Sequence, residues 1–282
     1  MTELEIKQFI SERMFKYKKG AFWYANKFNI TEAKASEIIE DIKRENAGLK
    51  PKRETEGFEA IVSYHKCKNQ TNNILIISDL HIPCEIPNAL EKCIQIKNKY
   101  KCTEVIFIGD IVDNYFLSIF QKDVNYNSNA LTEVETAKEK IKDWYKAFPQ
   151  ATVLIGNHDQ SRLIKLAKIA QIPSIWLRDL KDVLGVPNWN FTPEYESNGI
   201  YFNHGEVDSA DKVSLYRNQS TVQGHRHSEC YINYIKDGVF AMQVGSLCDK
   251  SKAVFDYAKM QLKPWVNSVA VILDKQPILI NV

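Results

Sequence analysis

Ile74-Leu75-Ile76-Ile77-Ser78-Asp79-Leu80-His81 is the stretch on which the fold is read. A short, unbroken apolar run bounded by polar residues is the pattern of a strand buried on both faces. The Asp and His then stand just beyond its carboxyl end. The arrangement recurs twice. Val105-Ile106-Phe107-Ile108 runs into Gly109-Asp110-Ile111-Val112-Asp113-Asn114, and Thr152-Val153-Leu154-Ile155 runs into Gly156-Asn157-His158-Asp159. Helical stretches are expected near 87–100, 115–121, 130–147 and 160–170. Strands alternating with helices imply an α/β fold with a partly parallel central sheet.

Downstream of Trp189 strands crowd together, at 200–203, 220–223, 230–235, 240–244, 269–273 and 278–280. They predict a second, more antiparallel sheet packed on the first. Upstream, residues 1–46 read as a separate all-α module. Leu4, Ile6, Phe9, Ile10 and Met14 form a rough helical stripe, and residues 21–28 form a second short helix. Thr31 is placed to cap a third helix, with Ala35, Ile38, Ile39 and Ile42 inward and Lys34, Ser36, Lys43 and Arg44 outward. Helix, tight turn, helix is the helix-turn-helix pattern. Lys34, Lys43 and Arg44 are the candidate nucleic-acid contacts. Acidic Glu37, Glu40 and Asp41 on the same helix count against them, and a plain packing or oligomerisation module is the other reading. Polar residues 47–57, with Gly and Pro, read as a linker, which leaves 58–282 as the large domain.

Of the 282 residues, 44% are hydrophobic and 26% charged, enough for a sizeable core under a soluble surface. The net charge of +2 makes any nucleic-acid footprint a local patch rather than a property of the whole molecule. Met1-Thr2-Glu3-Leu4-Glu5-Ile6-Lys7 lacks a basic segment leading into an apolar run, and no apolar stretch reaches eighteen residues. A cytoplasmic protein without a membrane span is expected. The six cysteines form no C-x-x-C pair, so reduced thiols are expected rather than a zinc–thiolate site.

The chemistry gathers where strands end. Beyond the three loops already quoted, Tyr201-Phe202 leads into Asn203-His204-Gly205-Glu206, and Thr221-Val222-Gln223 into Gly224-His225-Arg226-His227. Five of the six histidines lie in these segments, His65 being the exception. Open α/β sheets collect ligands beyond their strand carboxyl ends, so Asp, Asn and His are expected at one edge. In extended backbone, residues i and i+2 point the same way, which would pair Asp79 with His81 and His225 with His227. Carboxylate and imidazole donors suit Mn, Fe, Zn or Ni. Any one segment alone could be a turn or a satisfied core polar group; five in one chain, each after an apolar strand, are hard to obtain by chance.

D-x-H, G-D-x-x-D, G-N-H-D, H-G and G-H-x-H, in this order across about 72–282, resemble the calcineurin-like metallophosphoesterase superfamily. The resemblance implies a four-layer α/β/β/α sandwich of two mixed sheets and two divalent metal ions, Mn foremost. Asp79, His81 and His227 would hold one ion, and Asn157, His204 and His225 the other, with Asp110 bridging. His158 would serve as proton donor or phosphate contact, with Asp113 orienting its ring. The implied activity is hydrolysis of a phosphate ester by a metal-activated hydroxide. With the N-terminal module in view, a phosphodiester of nucleic acid or a nucleotide is the expected substrate, and a phosphomonoester or phosphoprotein is the alternative. Protein Ser/Thr phosphatases continue G-D-x-x-D with Arg-Gly; Asn114-Tyr115 here departs from that branch. Arg226 reads either as a wall residue or as a phosphate contact, and Arg162 as a cleft residue or a solvated helix charge. A non-catalytic adaptor on the same scaffold is the hypothesis of another class. The intact set of seven ligands weighs against it.

Overall fold

Side chains along the strands of the large unit point alternately to two separate cores, and that division sets the layers. The computed structural model describes residues 3–17, 21–46, 72–118, 129–252, 255 and 264–282. They belong to two compact units, Met1–Gln70 and Thr71–Val282. The expected linker at 47–57 and the domain start at 58 lie outside the described residues.

The first unit holds α1 (Glu3–Tyr17), α2 (Ala21–Phe28) and α3 (Glu32–Asn46). Ile6 and Ile10 from α1, Tyr24 and Ala25 from α2, and Ala35, Ile38 and Ile42 from α3 close one small core. The three- and four-residue spacing in α1 and α3 puts their members on single helix faces. The expected cap is in place, with Thr31 Oγ1 accepting the Lys34 N–H at 3.2 Å. Lys43 is exposed, and Lys34 pairs with Glu37 at 3.3 Å. The side chains of Leu4, Met14 and Arg44 lie outside the described residues.

The second unit carries two mixed sheets. The first runs in the order Gln276–Asn281 (β11), Ser268–Leu273 (β10), Ile74–Ile77 (β1), Glu104–Phe107 (β2), Thr152–Leu154 (β3) and Asn190–Thr192 (β4). From β1 to β4 the neighbours are parallel, whereas β10 is antiparallel to both β1 and β11. The second runs Glu194–Ser197 (β5), Ile200–Asn203 (β6), Ser220–Gln223 (β7), Val239–Gln243 (β9) and Tyr231–Lys236 (β8). Its inner pairs, β6–β7 and β7–β9, are parallel and its edge pairs antiparallel.

Leu75, Ile77, Val105, Phe107 and Val153 meet α4 (Ala89–Lys99) and α5 (Ala130–Ala147) through Cys93, Ile141 and Trp144. Phe107 sits between Trp144, Phe148 and Trp189, at centroid distances of 5.9, 6.1 and 4.9 Å. The alternate set, Ile74, Ile76, Ile106, Ile108 and Leu154, meets Phe202, Val222, Phe240 and Met242 of the second sheet. After β3 come α6 (Arg162–Ile169) and α7 (Leu180–Leu184), and α8 (Ala210–Arg217) packs on β7 and β9. Ser214 of α8 donates to the Phe240 carbonyl at 3.2 Å. The layering is the expected α/β/β/α sandwich.

Three details differ from the sequence reading. The last two strands complete the first sheet rather than the second. Val269 and Val271 face the helix-side core while Ala270 and Ile272 face the inter-sheet core, and the place beside β1 buries both sets. The half-exposed edge strands β4 and β5 had no apolar run to announce them. The helix expected at 115–121 is a single 3₁₀ turn, Tyr115–Leu117, and residues 119–128 lie outside the described set.

Candidate metal centre

Five loops, after β1, β2, β3, β6 and β7, bring all seven expected ligands together. The geometry is not the extended alternation expected of them. Asp79, His81, Asp110 and His225 adopt positive φ, at 49°, 47°, 49° and 69°. Asp and His tolerate this region better than most residues, and such conformations cluster where function over-determines the backbone. The first two loops kink side by side, with His81 N–H bonding the Asp110 carbonyl at 2.9 Å and Ile82 N–H the Ile111 carbonyl at 2.8 Å.

Asp110 lies at the middle of the constellation. Its Oδ2 is 3.2 Å from His204 Nε2 and 3.6 Å from His81 Nε2, and its Oδ1 accepts the His158 N–H at 2.8 Å. Asp79 Oδ1 is 3.3 Å from His227 Nε2, and its Oδ2 accepts the His225 N–H at 3.0 Å. Asn157 Oδ1 is 3.3 Å from His204 Nε2. Potential donor atoms of Asp79, His81 and Asp110 lie within 4.8 Å of one another, as do those of Asp110, His204 and His225. Asp110 is common to both groups.

Burial opposes ionisation of both carboxyls, but His227 at Asp79 and His204 at Asp110 override it and hold the two below the usual carboxylate range. His204 rises to about 10 despite its burial because Asp110 adjoins it. His81 is pushed down to about 4 by burial, so it is neutral. Its Nδ1 is 2.8 Å from Asp113 Oδ1, and a carboxylate there keeps the proton on Nδ1. The lone pair is thereby left on Nε2, a buried atom without a hydrogen-bond partner among the described residues. An orphaned acceptor facing two buried carboxylates is a site a cation satisfies. The residues present fit a metal centre.

Asp113 differs from its expected role. Its carboxylate serves His81, and His158 Nδ1 instead bonds the Asp113 backbone carbonyl at 2.6 Å, with the carboxylate 3.6 Å away. A carbonyl only accepts, so His158 carries its proton on Nδ1. Arg162 Nη1, 3.2 Å from that nitrogen, is therefore a neighbouring charge rather than its donor. Arg162 thus reaches the cleft. Arg226 lies beyond the end of β7 rather than in an extended strand, and its guanidinium turns to Glu229 at 3.7 Å.

Four contributors escaped the sequence reading. Asp159 accepts N–H bonds from Gly156, Ile111 and Val112 at 2.9, 2.8 and 3.2 Å, tying two ligand loops together. Asn114 Nδ2 donates to the His158 carbonyl at 2.7 Å. Cys248 Sγ lies 3.6 Å from His227 Nδ1, and the Trp265 ring stands edge-on to His227 at 4.4 Å. The fourth position of G-N-H-D was a signal for Asp159; nothing nearby in sequence announced Cys248. The five described cysteines are free thiols.

The family model for calcineurin-like phosphoesterases matches residues 73–248, more than half of the chain. The chain belongs to the calcineurin-like phosphoesterase family. Members of this family are generally metal-dependent phosphoester hydrolases. Among solved structures, this chain is similar to a metallophosphoesterase from Sphaerobacter thermophilus, at 15% identity and TM-score 0.40 over 76% of this chain and 88% of that one. Vacuolar protein sorting 29 from Cryptosporidium parvum gives 15% and 0.38 over 74% and 96%, and the nuclease MPE of Pseudomonas putida 12% and 0.36 over 73% and 87%. No curated protein matches the chain. Among the described residues no helix is long and apolar enough to cross a membrane.

Proposed function

We propose that this calcineurin-like phosphoesterase hydrolyses a phosphodiester, in nucleic acid or a nucleotide, at a centre holding two divalent cations. Asp79, His81 and His227 would hold one, Asn157, His204 and His225 the other, and Asp110 both. The observation that supports this most is the shared position of Asp110 between two donor groups, with the orphaned His81 Nε2 beside it. When bound, the cations supply positive charge for the phosphoryl oxygens and acidify water toward neutral pH. Mn is proposed first among Mn, Fe, Zn and Ni, the metals that this set of oxygen and imidazole donors suits. His158, its ring held by the Asp113 carbonyl, is placed to contact phosphate or pass a proton to the departing oxygen. Asp113 orients a ligand, His81, rather than the proton carrier.

We further propose residues 1–46 as the part that meets nucleic acid, with Lys34, Lys43 and Arg44 as contacts, and 72–282 as the catalytic domain. A helix-turn-helix-like module that binds substrate raises its concentration at the site tethered to it.

The test is hydrolysis of bis(p-nitrophenyl) phosphate and of an oligonucleotide by the full chain with Mn²⁺. Turnover of both is expected, and a chelator should abolish it. Reversing two charges, Lys34→Glu with Lys43→Glu, should raise KM for the oligonucleotide and leave the small ester unchanged. A chain that binds metal stoichiometrically yet hydrolyses neither compound would instead be a binding module on this scaffold.

Replacing Asp113 by Asn keeps its shape but weakens its acceptor toward His81 Nδ1. Loss of such a partner lowers metal affinity by about 10–100-fold. Competition with a chromogenic chelator should show that loss while the circular dichroism spectrum is unchanged. Affinity equal to the native chain would mean that His81 is not a ligand.

A further inference from the structure

Beside the metal ligands lies a cavity of about 600 Å³, bounded by His204 and Gly205 on one side and by α8 on the other. Its size falls within the roughly 300–1,000 Å³ common for small-molecule sites. Because His204 lines it, a ligand there lies against the constellation just described.

The walls differ in chemistry from the metal site. Ile155, Pro193 and Val213 contribute apolar surface, and two exposed apolar side chains stand at its boundary, Tyr216 at 92% and Val207 at 85% exposure. Apolar groups held in water around a concave site are a mark of an organic ligand. The charged groups are already paired. Lys212 is 3.7 Å from Asp208, and Arg217 is 3.1 Å from Glu196 while its guanidinium lies 3.7 Å over the Tyr201 ring. Glu206 is 3.8 Å from Lys165. Each of the two cations of the cavity, Lys212 and Arg217, already faces a carboxylate, so the ligand part the cavity suits is uncharged.

Polar recognition comes from two carboxamides. Asn203 and Gln223 are opposite residues of the parallel pair β6–β7, and Gln223 Nε2 donates to Asn203 Oδ1 at 2.7 Å. Gln223 is 1% exposed, and its Oε1 has no hydrogen-bond partner among the described residues. The pair thus offers an unmet acceptor, and the Asn203 amide, one N–H of which meets the Tyr201 side chain, has a second N–H beside it. Adjacent donor and acceptor groups of this kind match the edge of a nucleobase, and Tyr216 supplies a ring on which a base can stack.

We infer that this cavity receives the uncharged heteroaromatic base of a nucleotide whose phosphate lies at the metal ligands. The inference rests on the phosphoesterase reading and gives it a substrate class: a nucleoside phosphate ester, bound through its base as well as its phosphate. A sugar phosphate offers no heteroaromatic face to the tyrosine.

Calorimetric titration of the full Mn²⁺-loaded chain tests it, with two non-hydrolysable probes: the 5′-phosphonate analogue of adenosine monophosphate and the same ribose phosphonate without the base. The nucleoside probe should bind about tenfold tighter or more, the size of one base–aromatic stack. Tyr216→Ala should remove most of that advantage and leave the base-free probe within about twofold. Val213→Asp, which places a charge inside the cavity, should do the same. Equal affinity for the two probes, or an advantage that survives both variants, overturns the inference. Hydrolysis of bis(p-nitrophenyl) phosphate, measured alongside, separates the two proposals. Turnover without base preference removes the base site alone, whereas base preference without turnover removes the hydrolytic reading alone.

Discussion

Asp110→Asn is expected to reduce hydrolysis of bis(p-nitrophenyl) phosphate by on the order of a thousandfold, with the fold retained. Asp110 is the residue shared by the two donor groups, and its carboxylate lies against both His204 and His81. An amide keeps the side-chain shape and the oxygen that accepts the His158 N–H. It removes the negative charge that would sit between two dications. Metal centres supply several kcal/mol of charge stabilisation, and each 1.36 kcal/mol is a factor of ten, so loss of one ion is worth about 10³. The metal-free variant should unfold at a somewhat lower temperature, because the substitution removes the carboxylate that partners the buried His204 ring. Steady-state rates with saturating Mn²⁺ are the measurement. A variant within about tenfold of the native rate would mean that Asp110 does not bridge.

Gly156→Ala should be nearly as damaging, for a steric reason. Gly156 has φ −87° and ψ 175°, open to any residue, so backbone strain plays no part. A Cβ there, however, would overlap the Asp110 carboxylate and meet its backbone nitrogen. Either Asp110 moves or the β3 loop does. The loop is pinned, since Asp159 bonds Gly156, Ile111 and Val112 together. Overpacking of this kind costs about 1–3 kcal/mol of stability. The larger consequence is displacement of the shared ligand, with turnover falling toward that of Asp110→Asn. Denaturant midpoint and turnover, measured together, separate the two effects. Native values for both would refute the close approach.

What was legible in the sequence follows from how each element is buried. Strands β1, β6 and β7 and helix α5 were placed to the residue, because unbroken apolar runs and a long amphipathic period each have one reading. β4 and β5, half-exposed at sheet edges, present no such run. Sheet membership of β10 was not readable either: its apolar run states that both faces are buried, not which strand lies beside it. The candidate ligands were recognisable because each follows a strand. The backbone that unites them was not, since left-handed φ at Asp79 and His81 leaves no trace in residue spacing.

The two histidines beside Asp113 show the same limit. His81 and His158 stand edge to face, with centroids 4.5 Å apart. Sequence order cannot say which of two adjoining rings a carboxylate meets. The answer matters chemically, because it moves Asp113 from the proton carrier to a ligand. Asp159 and Asn114 act on backbone groups of loops 40 or more positions away, as the 48-residue separation of Ile111 and Asp159 illustrates. Contacts of that kind emerge only with the fold.

The anomalous scattering of a crystal of the full chain grown with Mn²⁺ tests the central claim most directly. Two peaks about 3.5–4 Å apart are expected, the separation of paired catalytic ions. One should lie among Asp79, His81 and His227, the other among Asn157, His204 and His225, with Asp110 touching both. A map with no peak at these side chains, or with metal bound only elsewhere on the chain, would contradict the account.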